Sequence, residues 1–245
     1  MSIIEDFPPT SELDIVERGA TLTDQAYARL RLHLLAGTFL PGERISIRKL
    51  AEKMQISFTP ARDALSRLAV EGAVTISAMR NVCVAQLRFE EVDELYMIRE
   101  HLEGLAAAHA APLISTQRLN VLNKIHRKMG KALDRGDYRC ALQCNYSLHF
   151  GIYRASGFAE VVRLIEGMWL KIGPSLHLLY PTYQITRRGI EHHAEMLEGI
   201  AAKDSSATRA AVIADIRDGR DEIKRALKST QTPSKAPIKL RQHAE

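Results

Sequence analysis

Thr59, Arg62, Asp63 and Ser66 fall on one side of a short stretch. On its other side Ala61, Ala64, Leu65 and Leu68 repeat at helical spacing. Hydroxyl and guanidinium groups on a free helix face are the groups that bond to base edges and phosphates. A helix this short can enter a major groove while its apolar face packs. Asn145 and His149 stand four residues apart, so one helix face carries an amide oxygen and an imidazole. One turn earlier, Cys140 and Cys144 share a face, either as soft metal ligands or as buried inert thiols. A metal hydrolase or oxygenase would need more. The chain has no HExxH, no paired ExxH of a di-iron bundle and no phosphate-binding glycine loop. It has no Ser/His/Asp or Cys/His set in a recognisable context either.

The elements that must position these groups can be read along the chain. A helix is expected over 24–36, with Tyr27, Leu30, Leu34 and Leu35 on one face and Gly37 ending it. A Pro41-Gly42 turn follows, and Ser46 is the expected N-cap of a second helix carrying Ile47, Leu50, Ala51 and Met54. Thr59, with Pro60 at the first helical position, is the expected N-cap of the third. After Gly72 the period becomes two. Val74 and Ile76, then Val82 and Val84, predict a two-stranded ribbon with a polar tip over 77–81. Three helices and a hairpin make the winged helix-turn-helix plan. From Phe89 onward only helical periodicity remains, over roughly 90–111, 115–134, 137–155, 158–179, 184–202 and 205–228. The predicted fold is therefore mainly α, with a winged helix-turn-helix ahead of an all-α antiparallel bundle. Four segments are expected: a mobile arm over 1–19, a DNA-binding unit over 20–88, a helical unit over 89–228 and a disordered tail over 229–245.

Charge supports the division. Residues 20–88 hold ten Lys and Arg against five Asp and Glu, a +5 equal to the net charge of the whole 245-residue chain. The helical region is nearly balanced, so a polyanion partner is expected for the first unit. The 46% apolar and 26% charged fractions exclude disorder throughout, collagen and a membrane protein. The most apolar stretch, 104–114, is too short to span a bilayer. Three cysteines and no signal-peptide pattern point to a reducing cytoplasm.

Residues 22–87 resemble the winged-helix domain of GntR-family transcription regulators. The resemblance is carried by Leu40, Pro41, Gly42, Glu43 and Arg44, by Leu50, Ala51 and Glu52, by the run from Ile56 to Leu65, and by Arg67, Leu68, Glu71 and Gly72. Residues 89–228 resemble the helical ligand-sensing domain of the FadR subfamily. Here the carriers are the run from Arg99 to Glu103, Asn145, His149, Phe150, His193 and Asp204. Six helices rather than seven would place it near the VanR-like branch.

The resemblance implies a ligand-responsive regulator, read as a repressor, that binds double-stranded operator DNA as a homodimer. Arg48, Ser57, Thr59 and Arg62 match DNA-contacting positions, and Arg80 at the ribbon tip suits phosphate or the minor groove. Phe58 stands where many members carry a basic residue, so it would meet a thymine methyl instead. For the helical unit the resemblance implies a divalent metal held by Asn145, His149, His193 and Asp215, where Asp215 replaces the last histidine of the family set. Zn, Ni, Mn or Fe would accept two oxygens and two nitrogens. His192 is the register alternative to His193, and both His149 and His193 could instead be core histidines. Arg99 matches a position facing the ligand cavity, and its anion partner is either Glu103, one turn on, or the carboxylate of a small effector. Tyr180, Tyr183 and Arg187 are further expected cavity groups. The effector class implied is a small organic or sugar acid. A metal-free DNA-binding dimer, whose bundle only dimerises, is the alternative.

Overall fold

Thr21 opens the first helix, because its hydroxyl accepts from Asp24 N at 3.1 Å and satisfies one of the free amides of the first turn. The computed structural model describes residues 21–77, 81–180 and 182–231. The expected arm over 1–19 and most of the expected tail lie outside those residues. Helix α1 spans Leu22–Leu35 and buries Ala26, Leu30, Leu34 and Leu35. It ends at Gly37, whose φ of +62° is left-handed and free of cost only for glycine. Strand β1 (Arg44–Ile45) leads into α2 (Ile47–Met54), capped as expected by Ser46. Helix α3 spans Phe58–Val70. It begins before the expected start, with Ser57 rather than Thr59 in the cap position. Thr59 and Pro60 then fall in the first turn, where a missing proline amide costs nothing.

Strands β2 (Val74–Ile76) and β3 (Val82–Val84) form the ribbon. The expected two-stranded wing is three-stranded, in the order β1-β3-β2, because Arg44 pairs with Cys83 from the far side. Both pairings are antiparallel.

The helical unit contains α4 (Phe89–Ala110), α5 (Thr116–Asp134), α6 (Tyr138–Tyr153), α7 (Ala159–Ile172), α8 (Thr182–Thr186), α9 (Arg188–Ala201) and α10 (Ser205–Gln231). Helix α10 lies along α4 and α9, and α5 packs on α6 and α9. Val92, Tyr96, Arg99, Glu103, Ala106 and Ala110 form the buried stripe of α4. Helix α6 is buried over most of its length. Two expected helices are interrupted. The stretch over 158–179 is α7 followed by a 3-10 turn over Gly173–Leu179, where Pro174 cannot continue the α-helical ladder. The stretch over 184–202 is divided at Arg187, which is left-handed at φ +58°. Helix α10 runs three residues beyond the expected end at 228. Among the described residues no helix is long and apolar enough to cross a membrane.

The two units share one apolar core. Arg31 of α1 reaches Glu166 of α7 at 2.7 Å and Glu71 at 3.3 Å. In the 3-10 turn, His177 Nε2 donates to the Gly37 carbonyl at 2.5 Å. The segment over 173–179 of the helical unit therefore rests directly on the end of α1.

Candidate DNA-binding face and sensor cavity

A cleft of about 720 Å³ opens between α2, α3 and the wing. Arg44, Arg48 and Arg62 line it, from β1, α2 and α3 respectively. Arg48 pairs with Glu52, at 3.4 Å on its own helix. Arg62 Nε and Nη2 donate to the neighbouring Asp63 Oδ1 at 3.1 and 3.0 Å. Exposed pairs of this kind contribute about 0–1 kcal/mol, so a phosphate or a guanine edge can take either guanidinium over. Arg44 bonds Asn81 of the wing. Its type and place in the Pro-Gly turn were visible in the sequence, but its role in this face needed the strand pairing. Ser57 and Thr59 are exposed at the open N-terminus of α3, and the Ser57 hydroxyl makes no cap bond. The free amides and the positive dipole end of that helix favour negative charge nearby. Phe58, 53% exposed, presents a ring beside them. Arg80 lies outside the described residues.

In the helical unit, His149 of α6, His193 of α9 and Asp215 of α10 converge. Their ligand atoms lie within 4.8 Å of one another. His149 Nε2 is 3.1 Å from His193 Nε2 and 3.4 Å from Asp215 Oδ2. His193 Nε2 is 3.8 Å from Asp215 Oδ1. Both imidazoles are buried. Two ring nitrogens this close need a proton or a cation between them. Nitrogen ligands at about 2.0–2.1 Å from one ion would also sit about 3 Å apart, so the donor set and its spacing fit a divalent metal. Burial pushes the His193 imidazole down to about 3, against the opposing pull of Asp215. Burial works to raise Asp215, but the adjoining His149 and His193 outweigh it and hold the carboxyl at about 2. Both groups are thus in the deprotonated forms a metal requires.

Asp215 and His149 line a cavity of about 30 Å³ together with Asn145, Tyr180, Tyr183 and Arg99. That volume suits an ion with one or two waters and is too small for an organic acid. Among the described residues, the hydroxyls of Tyr96 and Tyr183 and Nδ1 of His193 are buried without a hydrogen-bond partner. Tyr96 also lines this cavity, and its place one turn before Arg99 is the signal in the sequence that could have marked it.

Of the two partners open to Arg99, the structure holds Glu103. Nε donates to Oε1 at 2.6 Å and Nη2 to Oε2 at 3.4 Å, with both side chains buried. Glu103 also accepts from Trp169 Nε1 at 3.0 Å and from the Tyr153 hydroxyl at 2.7 Å. Trp169 and Tyr153 were not read as site groups. Tyr153 follows His149 by one helical turn, a spacing that could have flagged it.

One expectation is not met, and two of the open alternatives find no support in the geometry. Arg187 is not in the cavity wall. It pairs with Asp134 at 2.7 Å on the outside, because the left-handed backbone at its own position starts α9. His192 faces away from His193 and binds Asp218 at 3.0 Å and Glu195 at 3.2 Å. Cys140 and Cys144 are buried outside the ligand cluster, and burial followed by the neighbouring Cys140 pushes Cys144 up to about 12, so it remains an inert thiol.

Comparison with known proteins bears on both units. Residues 22–84 match the bacterial regulatory proteins of the gntR family, and residues 94–218 match the FCD domain. The HTH-type transcriptional regulator McbR of Escherichia coli K12 is 31% identical over 77% of this chain and 86% of its own. The Nta operon transcriptional regulator of Aminobacter aminovorans is 26% identical over 79% and 90%. The solved structure of E. coli McbR/YncC superposes with a TM-score of 0.77 at 28% identity, over 84% of this chain and 99% of that one. A GntR transcriptional regulator from Rhodococcus sp. RHA1 shares the fold, with a TM-score of 0.68 at 18% identity over 82% and 96%. The matched domain pair is thus that of proteins named as transcriptional regulators rather than enzymes. The chain belongs to the GntR family of DNA-binding transcription regulators, and its FCD domain fits the FadR subfamily.

Proposed function

We propose that this regulator is a repressor that binds a short palindromic operator as a homodimer and releases it in response to a small carboxylate metabolite, through a divalent ion held in the helical unit. The observation that carries this reading is the convergence of His149, His193 and Asp215 within 4.8 Å, two of which, His149 and Asp215, line the cavity. Asn145, in the same wall, supplies a fourth donor. Zn, Ni, Mn or Fe suits such a mixed set. When bound, the ion supplies a Lewis-acidic anchor for a chelating acid. The unpartnered hydroxyls of Tyr96 and Tyr183 suit the remaining oxygens of that acid, with Tyr180 stacked on Tyr138 closing the same wall. A metabolite larger than the present 30 Å³ must displace the wall at Leu176, Leu179 and Tyr180. That wall rests on the end of α1, which favours transmission to the winged unit.

We assign residues 20–88 to DNA binding and 89–228 to sensing and dimerisation, in a cytoplasmic protein. Exposed Met97 and Leu105, two turns apart on α4, favour a second copy against that helix. Arg48, Ser57, Thr59 and Arg62 are the proposed operator contacts, with Arg44 beside them and Arg80 at the wing tip. Arg62→Ala is expected to cost about 1–3 kcal/mol of operator affinity. Unchanged affinity in an anisotropy titration would remove Arg62 from the interface.

The test of the whole reading starts from an operator selected by the full-length protein from random duplex DNA. Operator affinity is then titrated with small dicarboxylates and sugar acids, with and without a chelator. One acid class is expected to weaken binding roughly 5- to 150-fold, the range of a coupling of about 1–3 kcal/mol, and the chelator is expected to abolish that effect. Affinity that responds to salt but to no acid would instead support a metal-free dimeric binder.

A further inference from the structure

We infer that Tyr153 and Glu103 set the tautomer of His149, so that its Nε2 is a bare lone pair aimed at His193 and Asp215. This rests on the ion-binding reading above only for its consequence, not for its geometry. The argument is one of donors and acceptors. Arg99 and Trp169 can only donate, and both donate to Glu103 Oε1, at 2.6 and 3.0 Å. Glu103 is therefore an acceptor, and its Oε2 takes the one proton of the Tyr153 hydroxyl at 2.7 Å. The Tyr153 oxygen has then only lone pairs left for His149 Nδ1, which lies 2.7 Å away. Nδ1 must carry the hydrogen, and Nε2 is left free for the cluster.

His193 has no such support, since its Nδ1 is buried without a partner. The two histidines are thus unequal: His149 is a preset donor and His193 is not. The relay also gives Arg99 a task. It fixes Glu103 as an acceptor and acts on the cluster through two side chains rather than by touching it. Tyr153, Glu103 and Arg99 are in this sense positioning residues. Partners of this kind orient a ligand and typically change metal affinity about 10–100-fold when lost.

The test uses the full-length protein labelled with ¹⁵N-histidine and stripped of metal. Long-range ¹H–¹⁵N spectra distinguish an imidazole protonated at Nδ1 from one protonated at Nε2. His149 is expected to be the Nδ1–H form in the wild type and to lose that uniformity in Tyr153→Phe. Zinc affinity, measured against a competing chelator, is expected to fall about 10–100-fold in Tyr153→Phe. Tyr146→Phe is the control, because it removes another buried hydroxyl, bonded to Arg154. It is expected to change neither the tautomer nor zinc affinity. An Nε2–H form of His149 in the wild type would overturn the inference, as would a Tyr153→Phe variant with tautomer and zinc affinity unchanged. If Tyr153→Phe does not fold, the wild-type spectrum decides. An Nδ1–H wild type that binds no zinc supports the relay and removes the ion reading instead.

Discussion

Glu103→Ala is expected to destabilise the helical unit by about 3–5 kcal/mol, because it leaves the charge of Arg99 buried without a partner. Arg99 is 4% exposed and Glu103 is fully buried. The same change strips the acceptor from Trp169 Nε1 and from the Tyr153 hydroxyl. Against a total stability of about 5–15 kcal/mol for an ordinary domain, this is a loss of about a fifth or more. Urea unfolding followed by fluorescence reads it directly, since Trp169 is the chain's single tryptophan and touches Glu103. Replacing both members, as Arg99→Met with Glu103→Leu, removes the buried charge itself. That double variant is expected to recover most of the loss, because a buried ion pair exchanged for apolar groups of similar size is often neutral or better. A Glu103→Ala variant as stable as wild type would show that Arg99 finds water or another anion. The ion pair would then not be the anchor of the relay.

Gly173→Ala should weaken the joint between the two units. Gly173 has ordinary right-handed backbone angles, so alanine meets no local strain there. Helix propensity alone would favour alanine by nearly 1 kcal/mol. The neighbours reverse that sign. A Cβ at this position would lie 2.6 Å from the Leu34 carbonyl oxygen and 2.9 Å from that of Leu35, both in the backbone at the end of α1. Those oxygens cannot rotate away, so α1 must shift or the 3-10 turn must lift from it. A stability loss of about 1–3 kcal/mol is expected, the usual cost of overpacking. The effect of a metabolite on operator affinity should shrink as well, because the moved segment is the one that carries the cavity wall to α1. Gly167→Ala in α7 is the matched comparison. Nothing lies within 4 Å of its added Cβ, so it should be neutral or stabilising. Equal thermal midpoints for the two variants would show that the turn over 173–179 yields at no cost. It could not then be a rigid coupling between sensor and DNA-binding unit.

These two sites also mark where sequence reasoning stops. The winged unit was legible because each short element carries its own signals. Ser46 caps α2, apolar residues recur at helical spacing, and Gly37 and Gly72 close the two helices that precede them. Strand β1 was missed since two residues are too few to show alternation. The start of α3 was misplaced because Ser57 and Thr59 are both good caps and only the backbone chooses between them. The break at Gly173 was hidden by an apolar pattern that runs on through Ile172, Leu176 and Leu179. The turn at Arg187 carries no glycine or asparagine to announce a left-handed residue.

The site was legible unevenly for the same reason. Local pairs four residues apart, such as Arg99 with Glu103 and Asn145 with His149, follow from helix geometry. The meeting of His149 with His193, 44 residues on, and then with Asp215 does not follow from spacing and came only from the family resemblance. Glu103 and Tyr153 each lie one turn from a named residue. Their joint role became visible once the direction of every hydrogen bond could be followed.

The most direct test of the sensor reading is the metal content of full-length protein purified without an affinity tag or chelator, beside His149→Ala and His193→Ala. Elemental analysis is expected to find about one divalent ion per chain in the wild type and almost none in either variant, since each removes one of the two buried nitrogens of the set. A wild type that neither carries nor takes up metal, or variants that keep a full complement, would contradict the account.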